Sequence, residues 1–238
     1  MADSKLRDLS TDFSERSNLM SNVIKHILDG SFLYLQPWFY NNKLALRCEL
    51  GIGKGKEYMD NAFHRAISIA NILFDNKKID AAFYHLYYDN DGQAYDANGL
   101  TLNIDAIIEL DRALLIQLGE IDDDTSAVKR YISYDIDFVA LESILKSQIE
   151  CQLNPVVSFV SLDNQFIFSV YDDRGCDIVF FDGRKYKEFY SKLEPYFLDY
   201  DREKNGENIQ IHIIFANQQI QFVSQFNCTH FYESVRTF

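Results

Sequence analysis

The chain has little proline, glycine or tryptophan: its 238 residues include three, ten and one of these, respectively. Hydrophobic residues make up 47% and aromatic residues 15%, a composition that excludes disorder as the general state. A chain of this length buries roughly 70–75% of the surface that its unfolded form exposes, so its core needs no covalent staples. We expect a flexible polar N-terminus over residues 1–16 and a single domain over residues 17–238.

Closely spaced cysteines and long apolar runs are also missing. The four cysteines, Cys48, Cys151, Cys176 and Cys228, are scattered without any Cys-x-x-Cys spacing, which indicates reduced thiols rather than a disulfide framework or a zinc site. No apolar run reaches the eighteen or so residues that cross a bilayer. Residues 1–18 are polar and lack the apolar centre of a signal peptide. We therefore expect a soluble cytoplasmic protein without a membrane partner.

Basic residues are in short supply. Lys and Arg number 23 against 36 Asp and Glu, so the formal net charge is −13. Affinity for nucleic acids depends on Lys and Arg that neutralise phosphates, so this balance argues against a nucleic-acid partner. It suits a basic protein partner instead, because a field of one sign speeds association by about 10- to 10³-fold.

Recognisable catalytic signatures are absent as well. The chain has no Gly-x-Ser-x-Gly elbow, and its cysteines lie in no known catalytic pattern. The glycine-rich run at residues 51–56 resembles a phosphate-binding loop, but Glu57 stands where that loop needs Ser or Thr. The loop at residues 89–92 lacks the glycine and glutamate spacing of a calcium hand. We predict no catalytic residue, no metal ligand and no cofactor.

Apolar periodicity divides the rest of the chain into helices and strands. Spacing of three and four predicts helices over residues 17–29, 56–74, 105–118, 137–152 and 184–197, with Asp137 and Asp182 as the N-caps of the last two. Alternation and β-branched runs predict strands over 44–50, 81–88, 131–136, 156–162, 165–171, 177–181, 209–215 and 219–226. Short turns between the strands favour an α+β fold with a mainly antiparallel sheet and helices packed on one face. Residues 209–238 are expected to extend this sheet as C-terminal β-hairpins.

The polar loop from Tyr171 to Asp177 lies between two of these strands. Asp172, Asp173 and Arg174 precede Gly175, which we expect in a left-handed conformation that closes the hairpin through a bulge. Asp and Gly are also what such turns require for their own geometry. The loop is thus either a functional site or turn chemistry alone.

The loop belongs to a larger charged set. Alternation in the strand over residues 44–50 places Arg47 and Glu49 on the face opposite the apolar side chains. If this strand lies beside the hairpin, six side chains form the candidate binding site: Arg47, Glu49, Asp172, Asp173, Arg174 and Asp177. Three alternatives remain open, namely internal pairing that fixes the turn, binding of a cation or metal, and catalysis. We favour pairing, with Arg174 bound to a carboxylate such as Glu49 or Asp177.

Three segments of the chain carry a family resemblance. They are Phe166 with Tyr171-Asp172-Asp173-Arg174-Gly175-Cys176-Asp177-Ile178, Phe39-Tyr40-Asn41 followed by Leu46-Arg47-Cys48-Glu49-Leu50-Gly51, and Leu198-Asp199-Tyr200-Asp201-Arg202-Glu203. Together they resemble a bacterial family, the domain of unknown function 3885, over residues 30–205. The resemblance implies no activity, since the family has none to carry over.

These observations favour a function through a protein partner. We expect a non-enzymatic, cytoplasmic, bacterial protein-binding module, for instance an immunity or antitoxin-like protein that neutralises a basic toxin. The alternative is an enzyme based on carboxylates, with or without the assistance of a metal. The oligomeric state stays open at this level.

Overall fold

The computed structural model describes residues 39–75, 79–94, 104–117, 119, 121–150 and 157–206. The chain order of its elements is β1 (Ala45–Glu49), α1 (Lys56–Phe74), β2 (Ile79–Asp89), β3 (Ala106–Glu109), α2 (Arg112–Gln117), β4 (Thr125–Ile136), α3 (Phe138–Ile149), β5 (Val157–Ser161), β6 (Phe166–Asp172), β7 (Gly175–Phe180) and α4 (Gly183–Leu193). Short 3-10 turns cover Phe39–Asn41, Glu194–Tyr196 and Asp199–Asp201.

The strands form one antiparallel sheet in the order β1-β7-β6-β5-β2-β4-β3. Strands β5, β6 and β7 follow one another as a meander, as predicted, and β1 joins its outer edge beside β7. The three longer helices, α1, α3 and α4, contribute to a single core with one face of the sheet. The predicted α+β fold with helices on one face is confirmed. Within the described ranges, no helix is both long and apolar enough to cross a membrane.

Local sequence explains where the helices begin and which side they bury. The side chain of Asp137 accepts a hydrogen bond from the backbone N–H of Ala140 and caps α3, and Asp182 caps α4 in the same way. The buried side of α1 consists of small and aliphatic residues at helical spacing: Ala62, Ala66, Ile69, Ala70, Leu73 and Phe74. Both predicted caps and the predicted span of α1 are confirmed.

The opposite face of the sheet carries a second, smaller apolar cluster. Phe39 packs there with Ala45 and Val179, and all three side chains are buried. The 3-10 turn at Phe39–Asn41 thereby lies across β1 and β7. This turn, rather than a helix, brings the first described residues to the strand pair that contains the candidate site.

The predicted helix over residues 105–118 is wrong in its first half. Residues 106–109 form the edge strand β3, which pairs with β4, and only residues 112–117 are helical. The apolar run fits either period at this length, and pairing with β4 decides between them. Strand β4 begins at Thr125, before the start of the predicted strand over residues 131–136. Helix α4 ends at Leu193, before the predicted residue 197.

Several predictions fall outside the described residues. These are the flexible terminus at residues 1–16, the helix over 17–29 and the C-terminal strands over 209–238.

Candidate functional site

The hairpin between β6 and β7 differs from its predicted geometry. Its loop contains only Asp173 and Arg174, and the register shift lies at Tyr171, between Val170 and Asp172. Gly175 is the first residue of β7 and is not left-handed, so that prediction is wrong. Glycine is required there for space, because a Cβ atom would lie 2.1 Å from the Tyr171 hydroxyl oxygen.

Arg47 and Asp177 form a buried, two-pronged ion pair. They are register partners in β1 and β7, so the strand lies beside the hairpin, which is the condition on which their meeting depended. The guanidinium donates from Nε to Oδ1 over 2.7 Å and from Nη2 to Oδ2 over 2.8 Å. The side chain of Arg47 is 15% exposed and that of Asp177 is 5% exposed. This is the fork-to-fork geometry in which arginine binds carboxylates most specifically.

Aromatic rings surround the guanidinium of Arg47. Its central carbon lies 5.1 Å from the ring centre of Phe39, 4.8 Å from that of Tyr40 and 5.3 Å from that of Tyr171. Ring faces attract cations at such distances. We call Arg47, Asp177 and these three aromatic residues the arginine cage. Since the cage already contains an arginine of the same chain, it serves the fold rather than an external cation.

Burial and pairing act against each other on both charges of the cage. Burial acts against the charge of Arg47, but the hydrogen bonds with Asp177 outweigh it and raise the pKa of Arg47. Burial also raises the pKa of Asp177, against the opposing effect of Arg47 and of the backbone N–H of Phe39, which donates to Oδ2 over 3.2 Å. Because arginine stays protonated in proteins, the bound carboxylate is held as its counter-ion at neutral pH.

A second buried carboxylate connects the cage to the end of the described chain. The Tyr40 hydroxyl donates to Oδ1 of Asp201 over 2.7 Å, a bond that raises the pKa of Tyr40. Asn205 follows one turn later, and its side-chain amide binds both backbone groups of Arg47, with Oδ1 accepting over 3.3 Å and Nδ2 donating over 3.4 Å. The amide thus replaces a neighbouring strand at the outer edge of β1.

Arg174 and Asp172 pair with each other at the exposed tip of the hairpin. Asp172 Oδ1 accepts from the backbone N–H of Arg174 and Oδ2 from its Nε, both over 2.8 Å. The side chain of Arg174 is 74% exposed. The prediction that Arg174 binds a carboxylate is confirmed, but the suggested partners Glu49 and Asp177 are wrong. Asp177 is bound by Arg47 on the sheet, and the nearest acceptor to Arg174 lies two residues before it.

The remaining two predicted residues, Glu49 and Asp173, both act electrostatically on Tyr58 of α1. Burial raises the pKa of Tyr58, and the charges of Asp173, Asp172 and Glu49 raise it further. Among the described residues, the carboxylates of Glu49 and Asp173 form no ion pair. We call Glu49, Asp172, Asp173 and Tyr58 the acidic tip.

Gly51 shapes the acidic tip. A Cβ atom on Gly51 would lie 2.1 Å from the hydroxyl oxygen and the Cζ atom of Tyr58. The tyrosine ring therefore lies directly against the backbone that follows β1. Gly175 stands in the same relation to Tyr171, so each glycine makes room for one tyrosine.

The six predicted residues thus divide into two groups. The fold uses Arg47 and Asp177 inside the cage, whereas the other four lie at or near the exposed tip. Sequence reasoning missed Tyr40, Asp201 and Asn205 as parts of the site. The segments that contain Tyr40 and Asp201 had carried the family resemblance, so the signal for these two was present, whereas Asn205 lies beyond it.

The arrangement offers little for metal-assisted chemistry. In the part of the chain that the structure describes, no group of three or more His, Cys, Asp or Glu side chains is placed to hold a metal ion. The alternative of a metal-assisted carboxylate enzyme stays a prediction. Thermal shift with divalent cations tests it, since a ligand at 100-fold over its dissociation constant adds about 2.7 kcal/mol to the free energy of unfolding.

One known protein family matches most of the chain. No curated protein and no solved structure matches it. A family model described as a domain of unknown function, DUF3885, matches residues 24–201. This range includes all six predicted site residues and ends at the buried Asp201. The chain belongs to the DUF3885 family.

Proposed function

We propose that this protein is a non-enzymatic, cytoplasmic, bacterial module that binds a basic protein partner through the acidic tip. An immunity or antitoxin-like role toward a basic toxin is one concrete form of this function. The observation that carries the proposal is the division of the charged set. Arg47 neutralises Asp177 inside the fold, whereas the carboxylates of Glu49 and Asp173 form no ion pair among the described residues, and Arg174, whose charge also acts on Asp173, is bound by Asp172.

Charge supports the same assignment. The chain carries a formal net charge of −13, so a basic partner is attracted from a distance and a wrong acidic partner is repelled. The tip adds a tyrosine ring to the carboxylates. Tyr is enriched at protein interfaces because it combines a large apolar area with a polar end.

The test is a capture experiment with the full chain from lysate of the source cell, at low and at moderate salt. The variant Glu49→Gln/Asp173→Asn removes two charges from the tip. The control Glu142→Gln/Asp123→Asn makes the same two chemical changes at exposed positions on α3 and in the loop before β4.

We expect a specific protein that the wild type and the control capture and that the tip variant loses. Recovery of the same proteins by all three forms would contradict the proposal, and so would the absence of any specific partner at both salt concentrations. Melting temperatures of the three forms should agree, since neither Glu49 nor Asp173 forms an ion pair among the described residues.

A further inference from the structure

Two cysteines face each other across the strand pair that carries the site. Cys48 in β1 and Cys176 in β7 are register partners, and each stands one residue from the Arg47–Asp177 pair. Both are free thiols, both are completely buried, and both contribute to the core on the helix-covered face of the sheet. Neither the arginine cage nor the acidic tip uses these thiols.

The backbone hydrogen bonds fix the geometry of this cysteine pair. Leu50 N–H donates to the carbonyl of Arg174 over 2.9 Å, and Phe180 N–H donates to that of Leu44 over 2.8 Å. Every second register pair between these two bonds is a hydrogen-bonded pair, and the pair of Cys48 with Cys176 is one of them. Cα atoms of such pairs lie about 5.5 Å apart. This spacing falls within the range of roughly 4.4–6.8 Å that disulfides span.

Burial protects the reduced cysteine pair from oxidation. Burial raises the pKa of the Cys176 thiol, and a hydrogen bond with Cys48 raises it further. A buried, protonated thiol reacts slowly, so oxidation requires an opening of the strand pair. Strand β1 has only five residues, and among the described residues its outer edge is held by the Asn205 amide and a single bridge from Cys48 to Phe197, so local opening costs less than in the central strands, which pair along both edges.

We propose that Cys48 and Cys176 form a reversible disulfide across β1 and β7, which acts as a redox lock on this strand pair. The oxidant is a small disulfide such as oxidised glutathione. The thiolate of one cysteine attacks it, forms a mixed disulfide and releases one glutathione thiol. The second thiolate then attacks the mixed disulfide, forms the Cys48–Cys176 bond and releases the second glutathione thiol, so both electrons pass to glutathione.

Reversibility follows from the pairing geometry. Cβ atoms of directly opposite residues lie about 4.5–5.5 Å apart, against roughly 3.8 Å in a typical disulfide. Closure therefore draws the edge strand inward and leaves the bond strained. Strained disulfides are more easily reduced, so cellular thiols reopen the lock when the oxidant is removed.

The experiment uses the full chain with Cys151→Ser and Cys228→Ser, which leaves Cys48 and Cys176 as its thiols. This protein is equilibrated in buffers of increasing oxidised-to-reduced glutathione ratio, quenched with acid and analysed by intact mass and peptide mapping. The matched control carries Cys176→Ser in addition. The same titration in urea reports the two thiols of the unfolded chain.

We expect the folded protein to lose two hydrogen atoms in mass and to yield a cross-linked peptide of Cys48 and Cys176 that dithiothreitol separates. The cross-link should appear at a lower glutathione ratio than in urea, because the fold keeps the thiols adjacent whereas the unfolded chain must close a long loop, and strain reduces this difference without reversing it. The control should gain one glutathione at most. Folded protein that stays reduced at ratios that cross-link the unfolded chain would overturn the proposal, and so would glutathione on both cysteines. If the two serine substitutions prevent folding, peptide mapping of the wild-type chain makes the same distinction.

Discussion

Two arginine–aspartate pairs, one across β1 and β7 and one at the tip of the β6–β7 hairpin, show how burial changes the role of the same ion pair. Arg47 with Asp177 joins β1 to β7, and their side chains are 15% and 5% exposed. Arg174 with Asp172 lies at the hairpin tip, with side chains 74% and 18% exposed. Both pairs have short hydrogen bonds. Each charge of the buried pair has lost most of its contact with water and depends on the opposite charge. The charges of the exposed pair can still form hydrogen bonds with water.

The largest expected effect comes from breaking the buried pair. Asp177→Asn leaves Arg47 buried without its counter-charge and should lower the free energy of unfolding by about 3–5 kcal/mol, measured by urea denaturation. The double variant Arg47→Met/Asp177→Asn removes the unpaired charge and should recover part of this loss. A single variant as stable as Arg174→Ala would remove the distinction between the two pairs.

The second prediction concerns Gly175, which lies between the pairs. Gly175→Ala places a Cβ atom 2.1 Å from the Tyr171 hydroxyl oxygen and 2.8 Å from the carbonyl oxygen of Cys48. Overpacking of this kind should cost about 1–3 kcal/mol of unfolding free energy. Gly175→Asn separates space from backbone conformation. Asn tolerates a left-handed backbone, so if it proved better than Ala, lack of space would not be the reason for glycine here.

A third arginine–aspartate pair tests what a helix adds to an exposed pair. Asp182 and Arg184 repeat the Asp-x-Arg arrangement of the hairpin tip, but Asp182 also accepts from the backbone N–H groups of Arg184 and Lys185 at the start of α4. Asp182→Ala should cost about 1 kcal/mol through loss of the cap. Thermal melts of this variant and of Asp172→Ala give the comparison, and equal losses would contradict a special role for the cap.

The pKa of Asp182 predicts how the free energy of unfolding depends on pH. Hydrogen bonds from the Arg184 side chain, and then from the backbone, lower the pKa of Asp182 to about 2. A lowered pKa in the folded state means that the stabilising contribution is complete above the ordinary carboxyl pKa and is lost as the pH falls through about 2. Asp182→Asn keeps a cap without a titrating group. Its loss of stability between about pH 5 and pH 2 should be smaller than that of the wild type, measured by urea denaturation.

The smallest expected effect belongs to the hairpin tip. Arg174→Ala should change the free energy of unfolding by about 0–1 kcal/mol in urea denaturation, because an exposed ion pair is screened by water and salt. The expectation holds at low and at physiological salt. A cost near that of Asp177→Asn would show that the tip contributes to the fold as the cage does.

Local chemistry made much of this fold predictable. Asp137 and Asp182 were predicted as caps because a side chain that caps a helix acts within three residues of sequence. The placement of Arg47 and Glu49 opposite the apolar residues of β1 follows from the two-residue period of a strand. The sequence-based prediction failed at residues 106–109, where the apolar pattern fits both a helix and a strand. Pairing with β4 makes this segment a strand.

What only the tertiary structure decided is the partner of each charged group. The sequence by itself determined that Asp172, Arg174 and Asp177 lie on one hairpin, whereas the position of Arg47 beside them depended on how the strands pair. Register alone places Arg47 opposite Asp177, and Asp172 then remains for Arg174. The roles of Tyr40, Asp201 and Asn205 depend on contacts between residues more than 150 positions apart. No local period encodes such contacts, because packing of the whole chain determines them.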